Sequence, residues 1–252
     1  MTRCDVDWPW RDPDKPAPDR DRFHVAINMD GNGRWALMRG RAREEGHTAG
    51  ATAVRRTVGA ATTHGITTLT LYAFSSDNWR RPRGEIENLL LLLQTYLDAE
   101  SDHLTERGVR LSVIGRRDRV PPSLERSIAQ AEARTHDGST LHLRVAIDYS
   151  SRDALVRAAS RLGNSAHPTR QDFDRCLCDA IHAPIGTRDV DLLIRTGGEQ
   201  RLSDFLLWES AYAELYFTNV MWPDFTEADL TAAVRAFNAR GRRYGGVPRV
   251  MP

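Results

Sequence analysis

A chain of 252 residues, 40% hydrophobic and 27% charged, has the size and balance of one large globular domain with a sizeable core. A formal net charge of +1 excludes the basic excess with which proteins grip a phosphate backbone, so no nucleic-acid partner is expected. Three cysteines, Cys4, Cys176 and Cys178, exclude a disulfide framework, and neither a signal peptide nor a membrane-spanning run is visible.

Residues 1–21 hold four prolines, six aspartates, Trp8 and Trp10 without periodicity, and read as an irregular N-terminal arm. Val25, Ala26, Ile27 and Met29 then form a buried strand over 23–29, closed by Asp30 and the tight turn of Gly31 and Gly33. A helix is expected over 48–64, a strand over 67–74, a helix over 85–107 and a strand over 109–115. After a helix over 122–135 comes LHLRVAI, where Leu141, Leu143, Val145 and Ile147 alternate strictly. Helices over 151–162 and 171–182 and a strand, VDLLIR, over 190–195 complete the pattern. Such alternation predicts an α/β fold, a single domain with a mainly parallel central sheet flanked by helices. Arg80–Gly84 and 162–170 read as soft segments, and the C-terminal RGRRYGGVPRVMP as largely unstructured.

Several strands end alike, in a polar turn bearing glycine or arginine, and a parallel sheet brings such turns to one edge. These turns hold Asp30, Gly31, Asn32, Gly33 and Arg34, then Ser75 to Arg81, then Arg195 to Ser203. Gly31 and Gly33 let backbone amides approach an anion if a helix opens at Arg34, or make a tight turn and no more. Of the 35 cations only Lys15 is lysine, so arginine as such says little, and position carries the argument. Arg34, Arg81, Arg195 and Arg201, with Arg43 nearby, would repel one another at one edge unless anions joined them. Asp30 in their midst asks for a bridging cation, and magnesium (Mg2+) accepts one or two carboxylates with water and phosphate oxygens. Glu214 is a candidate second carboxylate or a plain strand or helix-end residue. His47 precedes an expected helix start at Thr48 and reads on its own as a surface histidine. Five leucines in a row, 89–93, make a helix apolar nearly all round, which is either buried core or the wall of an apolar tunnel. Cys176 and Cys178 read as structural.

Together HVAINMDGNGRWA, EEGHTAG, LTLYAFSSDNWRRP and DLLIRTGGEQRLSDFLLWESAYAELYFTNVMWPDF resemble the signature blocks of the cis-prenyltransferases, the undecaprenyl diphosphate synthase family. The resemblance covers about residues 23–245 in order. It implies a catalytic domain over 22–245 followed by a short tail, 246–252. It also implies a Mg2+-dependent condensation of isopentenyl diphosphate with an allylic diphosphate primer, a homodimer, and a hydrophobic tunnel beside the sheet. By similarity Asp30 is the key catalytic carboxylate and binds magnesium with Glu214. Gly31, Asn32, Gly33, Arg34, Arg43 and Arg81 hold the allylic diphosphate, with His47 near its leaving group. Arg195, Arg201 and Ser203 hold isopentenyl diphosphate, Asn78 and Trp79 order the reacting site and Asn78 assists proton removal. Trp35 and Ser75 are further substrate-binding residues. The paired D-D-x-x-D segments of the trans-prenyltransferases do not occur.

The chain departs from the family after LHLRVAI, where an N-Y-G-G-R-like turn is replaced by Asp148, Tyr149, Ser150, Ser151 and Arg152. Asp77 stands for the commoner glutamate, and Asn28 for an aliphatic residue. Ala73 on the second strand is compatible with a long tunnel. Two rival readings are a short-chain or specialised condensing enzyme and a noncatalytic partner subunit, the second opposed by the presence of Asp30, Arg34, Arg195 and Arg201. The enzyme is expected in the cytoplasm, touching the membrane surface transiently to release a lipid-soluble product.

Overall fold

The computed structural model describes residues 23–163, 167–186 and 188–240. The N-terminal arm, part of the 162–170 segment and the tail from 241 onward lie outside the described residues. Six strands form one sheet in the order β3-β4-β2-β1-β5-β6, every neighbouring pair parallel. They are β1 (Phe23–Asn28), β2 (Ile66–Ser75), β3 (Val109–Ile114), β4 (Leu141–Tyr149), β5 (Leu192–Arg195) and β6 (Glu214–Phe217). The helices are α1 (Asn32–Leu37), α2 (Arg43–Ala61), α3 (Arg83–Glu106), α4 (Pro122–Arg134), α5 (Ser151–Leu162), α6 (Arg170–Ala180) and α7 (Glu227–Ala239).

The strict alternation in β4 sorts its side chains between two cores. Leu141, Leu143, Val145 and Ile147 pack with residues of α2, α3, α4 and α7, whereas Ala146 packs with α5 and α6; after Asp148, at a positive φ of 49°, the alternation breaks and Tyr149 joins Ala146. Covering both faces is what an all-parallel sheet requires. At the β3 edge, Leu111 N donates to Thr135 Oγ1 (3.0 Å) and Val113 N to Glu132 Oε1 (2.8 Å), so the region of α4 caps an edge that would otherwise invite another strand. β2 leads from β1 to one side and β5 lies on the other, so the order of connection reverses between β1 and β5. Ligands of open α/β sheets bind outside the carboxyl ends of the strands at such a reversal.

Two expectations are corrected. The second helix begins at Arg43 rather than at Thr48, because Glu45 Oε1 accepts the Ala42 amide (3.1 Å) and caps the helix five residues early, so His47 lies inside it. The first helix opens at Asn32 rather than Arg34. Of the two readings left open for the leucine run, Leu89 and Leu90 take the core, while Leu91, 62% exposed, lines a groove. β6 and α7 complete the fold beyond the elements expected from periodicity.

The α5–α6 side of the sheet also holds a buried polar row. His24 Nε2 lies 2.8 Å from Thr70 Oγ1 and Nδ1 3.0 Å from the Arg188 carbonyl. Burial, and then the nearby Arg144 guanidinium, push His24 down to about 3 and His142 to about 4. Both are therefore neutral when folded but charge near pH 6.5 when unfolded, so the stability they confer is present above about 6.5 and lost as pH falls towards 4. The urea midpoint should fall steadily over that interval, and His24→Gln should flatten the slope; a midpoint level from pH 7 to 4 would contradict the two buried imidazoles.

Candidate active site

The first strand ends where a carboxylate is trapped between two guanidiniums. Arg195, the last residue of β5 and only 4% exposed, stands in register with Asn28 of β1. Its Nη2 donates to Asp30 Oδ2 (2.8 Å), while Nη1 donates to Ser203 Oγ and the Arg201 carbonyl (both 2.6 Å). From the other side Arg34 Nη2 donates to Asp30 Oδ1 (3.2 Å). The Asp30 side chain remains 28% exposed. Glu199 stands between Arg201 (2.6 Å) and Arg34 (3.7 Å).

Gly31, at φ 111°, turns the chain from Asp30 into α1, and a Cβ there would press on Met221 at 3.0 Å. The first bond closing α1 is Trp35 N to the Gly31 carbonyl (2.8 Å), so the amides of Asn32, Gly33 and Arg34 stay available at its start. Gly33 has a second use: a Cβ would collide with the Arg43 guanidinium at 2.7 Å, so its absence lets that cation lie against the turn. Trp35 turns its indole N–H to Asp224 Oδ1 (2.7 Å) and carries Arg39 over its ring at 4.4 Å.

Across α1 a second cation cluster gathers on Glu85, in the first turn of α3. Its Oε1 accepts from Arg81 Nη1 (2.9 Å) and Arg43 Nη2 (3.4 Å) and lies 3.7 Å from His47 Nε2. Burial works against the Glu85 charge, but Arg81 and Arg43 outweigh it and hold the carboxyl below its ordinary range. Burial, followed by Arg81, lowers His47, which is therefore neutral at pH 7. From His47 and Glu85 a groove of about 390 Å³ runs between α2 and α3 past Leu89, Leu91, Leu92 and Thr95.

Ser76–Arg80, a short 3-10 turn after β2, delivers Arg81 to this cluster. Ser75 Oγ accepts the Asp77 amide (3.0 Å) and Asn78 Oδ1 the Ser75 amide (3.0 Å), so both side chains help to hold the turn. Trp79 packs edge-on against Phe74 at 5.4 Å and donates its indole N–H to Asp148 (2.9 Å). Ala73 falls where the β2–β4 register slips between Tyr72 and Phe74, a bulge beside the site.

The structure thus brings together Asp30, Arg34, Arg195, Arg201 and Ser203, and separately Arg43, His47 and Arg81, with Gly31, Asn32 and Gly33 between the groups. It does not bring Glu214 to Asp30 within the chain. Glu214 pairs in register with Leu192 while Phe217 pairs with Arg195, which places it three residues, about 10 Å, down the sheet from the carboxyl edge. Its Oε2 accepts Arg240 Nη1 (2.8 Å). Among the described residues no group of three or more His, Cys, Asp or Glu is poised to hold a metal. The residues present still fit magnesium in one way: Asp30, partly exposed and beside a cation-lined anion site, can supply the single carboxylate that magnesium accepts when diphosphate and water fill its shell. Glu85 and Glu199 are the site carboxylates to which the sequence assigned no role. The i, i+4 spacing of Arg81 and Glu85 at a helix start was the available signal.

The model of a family described as putative undecaprenyl diphosphate synthase matches residues 28–245. The chain belongs to the undecaprenyl diphosphate synthase family. It is 55% identical to isoprenyl transferase 1 of Bradyrhizobium diazoefficiens, over 92% of this chain and 93% of that protein. It is 45% identical to the Escherichia coli ditrans,polycis-undecaprenyl-diphosphate synthase described as (2E,6E)-farnesyl-diphosphate specific, over 88% and 89%. Among solved structures, lavandulyl diphosphate synthase from Lavandula x intermedia in complex with dimethylallyl diphosphate superposes with a TM-score of 0.83 at 31% identity, covering 88% of this chain and 97% of that one. A probable undecaprenyl diphosphate synthase from Campylobacter jejuni superposes with a TM-score of 0.73 at 31% identity, with the same coverage. The enzyme is a cis-prenyltransferase.

In this cis-prenyltransferase the two serines that replace family glycines are absorbed without strain. Ser150 is extended (φ −142°), and its Oγ accepts the Asp153 amide (3.1 Å), capping α5, while donating to Asp204 Oδ2 (2.5 Å). Ser151 Oγ accepts the Leu207 amide (3.0 Å). Asn28 is buried, with its Nδ2 3.5 Å from the Leu202 carbonyl.

Gly46 couples the helices to the site, since a Cβ there would lie 2.0 Å from the Asn32 carbonyl. Gly46→Ala must push α2 from α1. We expect a loss of about 1–3 kcal/mol by denaturant titration, together with weaker primer binding; unchanged stability would mean that the two helices separate freely.

Proposed function

We propose that this chain condenses isopentenyl diphosphate with an allylic diphosphate primer, repeatedly and with Z geometry, to make a long polyprenyl diphosphate. The observation that carries this reading is two arginine clusters flanking the start of α1, Asp30 in one of them, and an apolar-walled groove leading from the other. Arg43, Arg81 and the free amides of α1 receive the primer diphosphate, with Arg34 between the sites. Arg195, Arg201 and Ser203 receive isopentenyl diphosphate. The prenyl tail follows the groove between α2 and α3, where exposed Leu91 gains an apolar partner.

The reaction needs no covalent bond to protein. The primer C1–O bond breaks with its electron pair going to the diphosphate, the C3=C4 pair of isopentenyl diphosphate forms the new bond to C1, and loss of a C2 proton leaves the new double bond. Charge on the departing diphosphate grows in the transition state, and Arg43, Arg81 and the α1 amides, already fixed, favour it most there. Magnesium held by Asp30 would add Lewis-acid stabilisation of diphosphate oxygens. Arg195 holds Asp30 to the isopentenyl side, and neutral His47 supplies a polar edge to the leaving group without adding charge. Asn78 and Trp79 act by fixing the turn that presents Arg81.

The working unit in this reading is a homodimer in the cytoplasm that meets the membrane surface to release product. Among the described residues no helix is long and apolar enough to cross a membrane.

Asp30→Ala should lower turnover at least about 100-fold with an unchanged circular dichroism spectrum; near-normal turnover would remove Asp30 from the chemistry. The decisive experiment is the mass of products made from isopentenyl diphosphate and magnesium with dimethylallyl, geranyl or farnesyl diphosphate offered in turn. A ladder reaching ten or more isoprene units on farnesyl diphosphate is expected. A single short product would overturn the long-chain assignment, and no product with any primer would overturn the condensation.

A further inference from the structure

The turn in which this chain departs from the family pattern begins on an aspartate one residue before the end of β4, and that aspartate is a hub. Asp148 is fully buried, at the positive φ of 49° that aspartate tolerates better than most residues. Oδ1 accepts from Ser76 Oγ (2.9 Å), from Trp79 Nε1 (2.9 Å) and from Arg119 Nη2, and Oδ2 accepts from Arg119 Nε (2.8 Å). Arg119 also reaches Ser76 Oγ (3.2 Å), and its guanidinium lies 5.6 Å over the Trp79 ring. The Arg116 amide donates to the Asp148 carbonyl (3.1 Å), so the loop between β3 and α4 is anchored to the same residue through backbone as well.

These contacts grip the Ser76–Arg80 turn at its first residue and at Trp79, two residues before Arg81 leaves for the primer cluster. A carboxylate so buried demands a cation, and Arg119 supplies it from a loop that no signature block includes. Resting on the primer-site reading above, we propose that Asp148 and Arg119 form a positioning pair that sets where Arg81 meets the primer diphosphate. Neither residue touches substrate; both act through Ser76 and Trp79. The side chains of the isopentenyl group, Arg195, Arg201 and Ser203, bond to Asp30, Glu199 and one another rather than to this pair, so the effect is expected on one substrate and not the other.

The test is steady-state kinetics on Arg119→Gln, Asp148→Asn and the double variant, at a temperature where melting curves show all four proteins folded. Each single change leaves an uncompensated group facing its old partner: a buried carboxylate without its cation, or an amide N–H against a guanidinium. Primer KM should rise about tenfold in each, the size usual for contacting residues, while the KM for isopentenyl diphosphate stays within about twofold. In the double variant asparagine and glutamine can rejoin amide to carbonyl without charge, so most of the loss should be recovered. Additive losses in the double variant, a joint rise of both KM values, or unchanged primer KM would each overturn the proposal. If the unaltered enzyme turns over no primer, the activity reading fails instead. The same four proteins are then titrated calorimetrically with inorganic diphosphate, where the same pattern supports the pair and equal affinities overturn it.

Discussion

The site depends on a buried arginine. Arg195 ends β5 almost without exposure to water, and a guanidinium in that position must be surrounded by acceptors. Asp30, Ser203 and the Arg201 carbonyl meet that demand, and in doing so tie the end of β1 to the loop after β5 across the reversal in strand order. The two substrates of a condensing enzyme must lie against each other, and in the proposed reading this ion pair fixes Asp30 within the cluster that receives isopentenyl diphosphate. An enzyme that has to gather two diphosphates cannot neutralise all its cations internally. Asp30, Glu199 and Glu85 stand against these guanidiniums and offset part of the charge by which the arginines would repel one another.

Space at the site comes from side chains that are absent. Gly33 leaves room for Arg43, and Gly197, at φ 82°, leaves room for Arg34, whose Nη2 would stand 2.7 Å from a Cβ there. Glycines that the sequence assigns to backbone approach of an anion serve equally to admit guanidiniums. Apolar surface is handled in the opposite way. α3 keeps Leu89 and Leu90 in the core but turns Leu91 outward along the groove, an exposure that costs stability and that, in the proposed reading, a prenyl tail would relieve.

Much of this was legible in the sequence because it is local. Period-two alternation in β4 and the apolar run of β1 announce a parallel sheet, and polar turns at successive strand ends announce a shared edge. Family blocks named the residues at that edge, and the chain's membership was established by comparison with relatives of 55% and 45% identity. Helix starts were less legible, since Glu45 caps from inside the helix and moves the boundary ahead of His47. Asp30 and Glu214 do not meet within one chain: β6 joins the sheet three residues out of line with the site, and only strand register reveals that.

By itself the sequence determined the fold class, the family and which side chains carry charge to the carboxyl edge, because periodicity, turn chemistry and motif order are properties of short segments. Tertiary structure alone decided which acid meets which base. Glu85 with Arg43, Asp148 with Arg119 and Asp30 with Arg195 are separated by 42, 29 and 165 positions along the chain, and their meeting is a consequence of strand order and helix placement that no local pattern encodes.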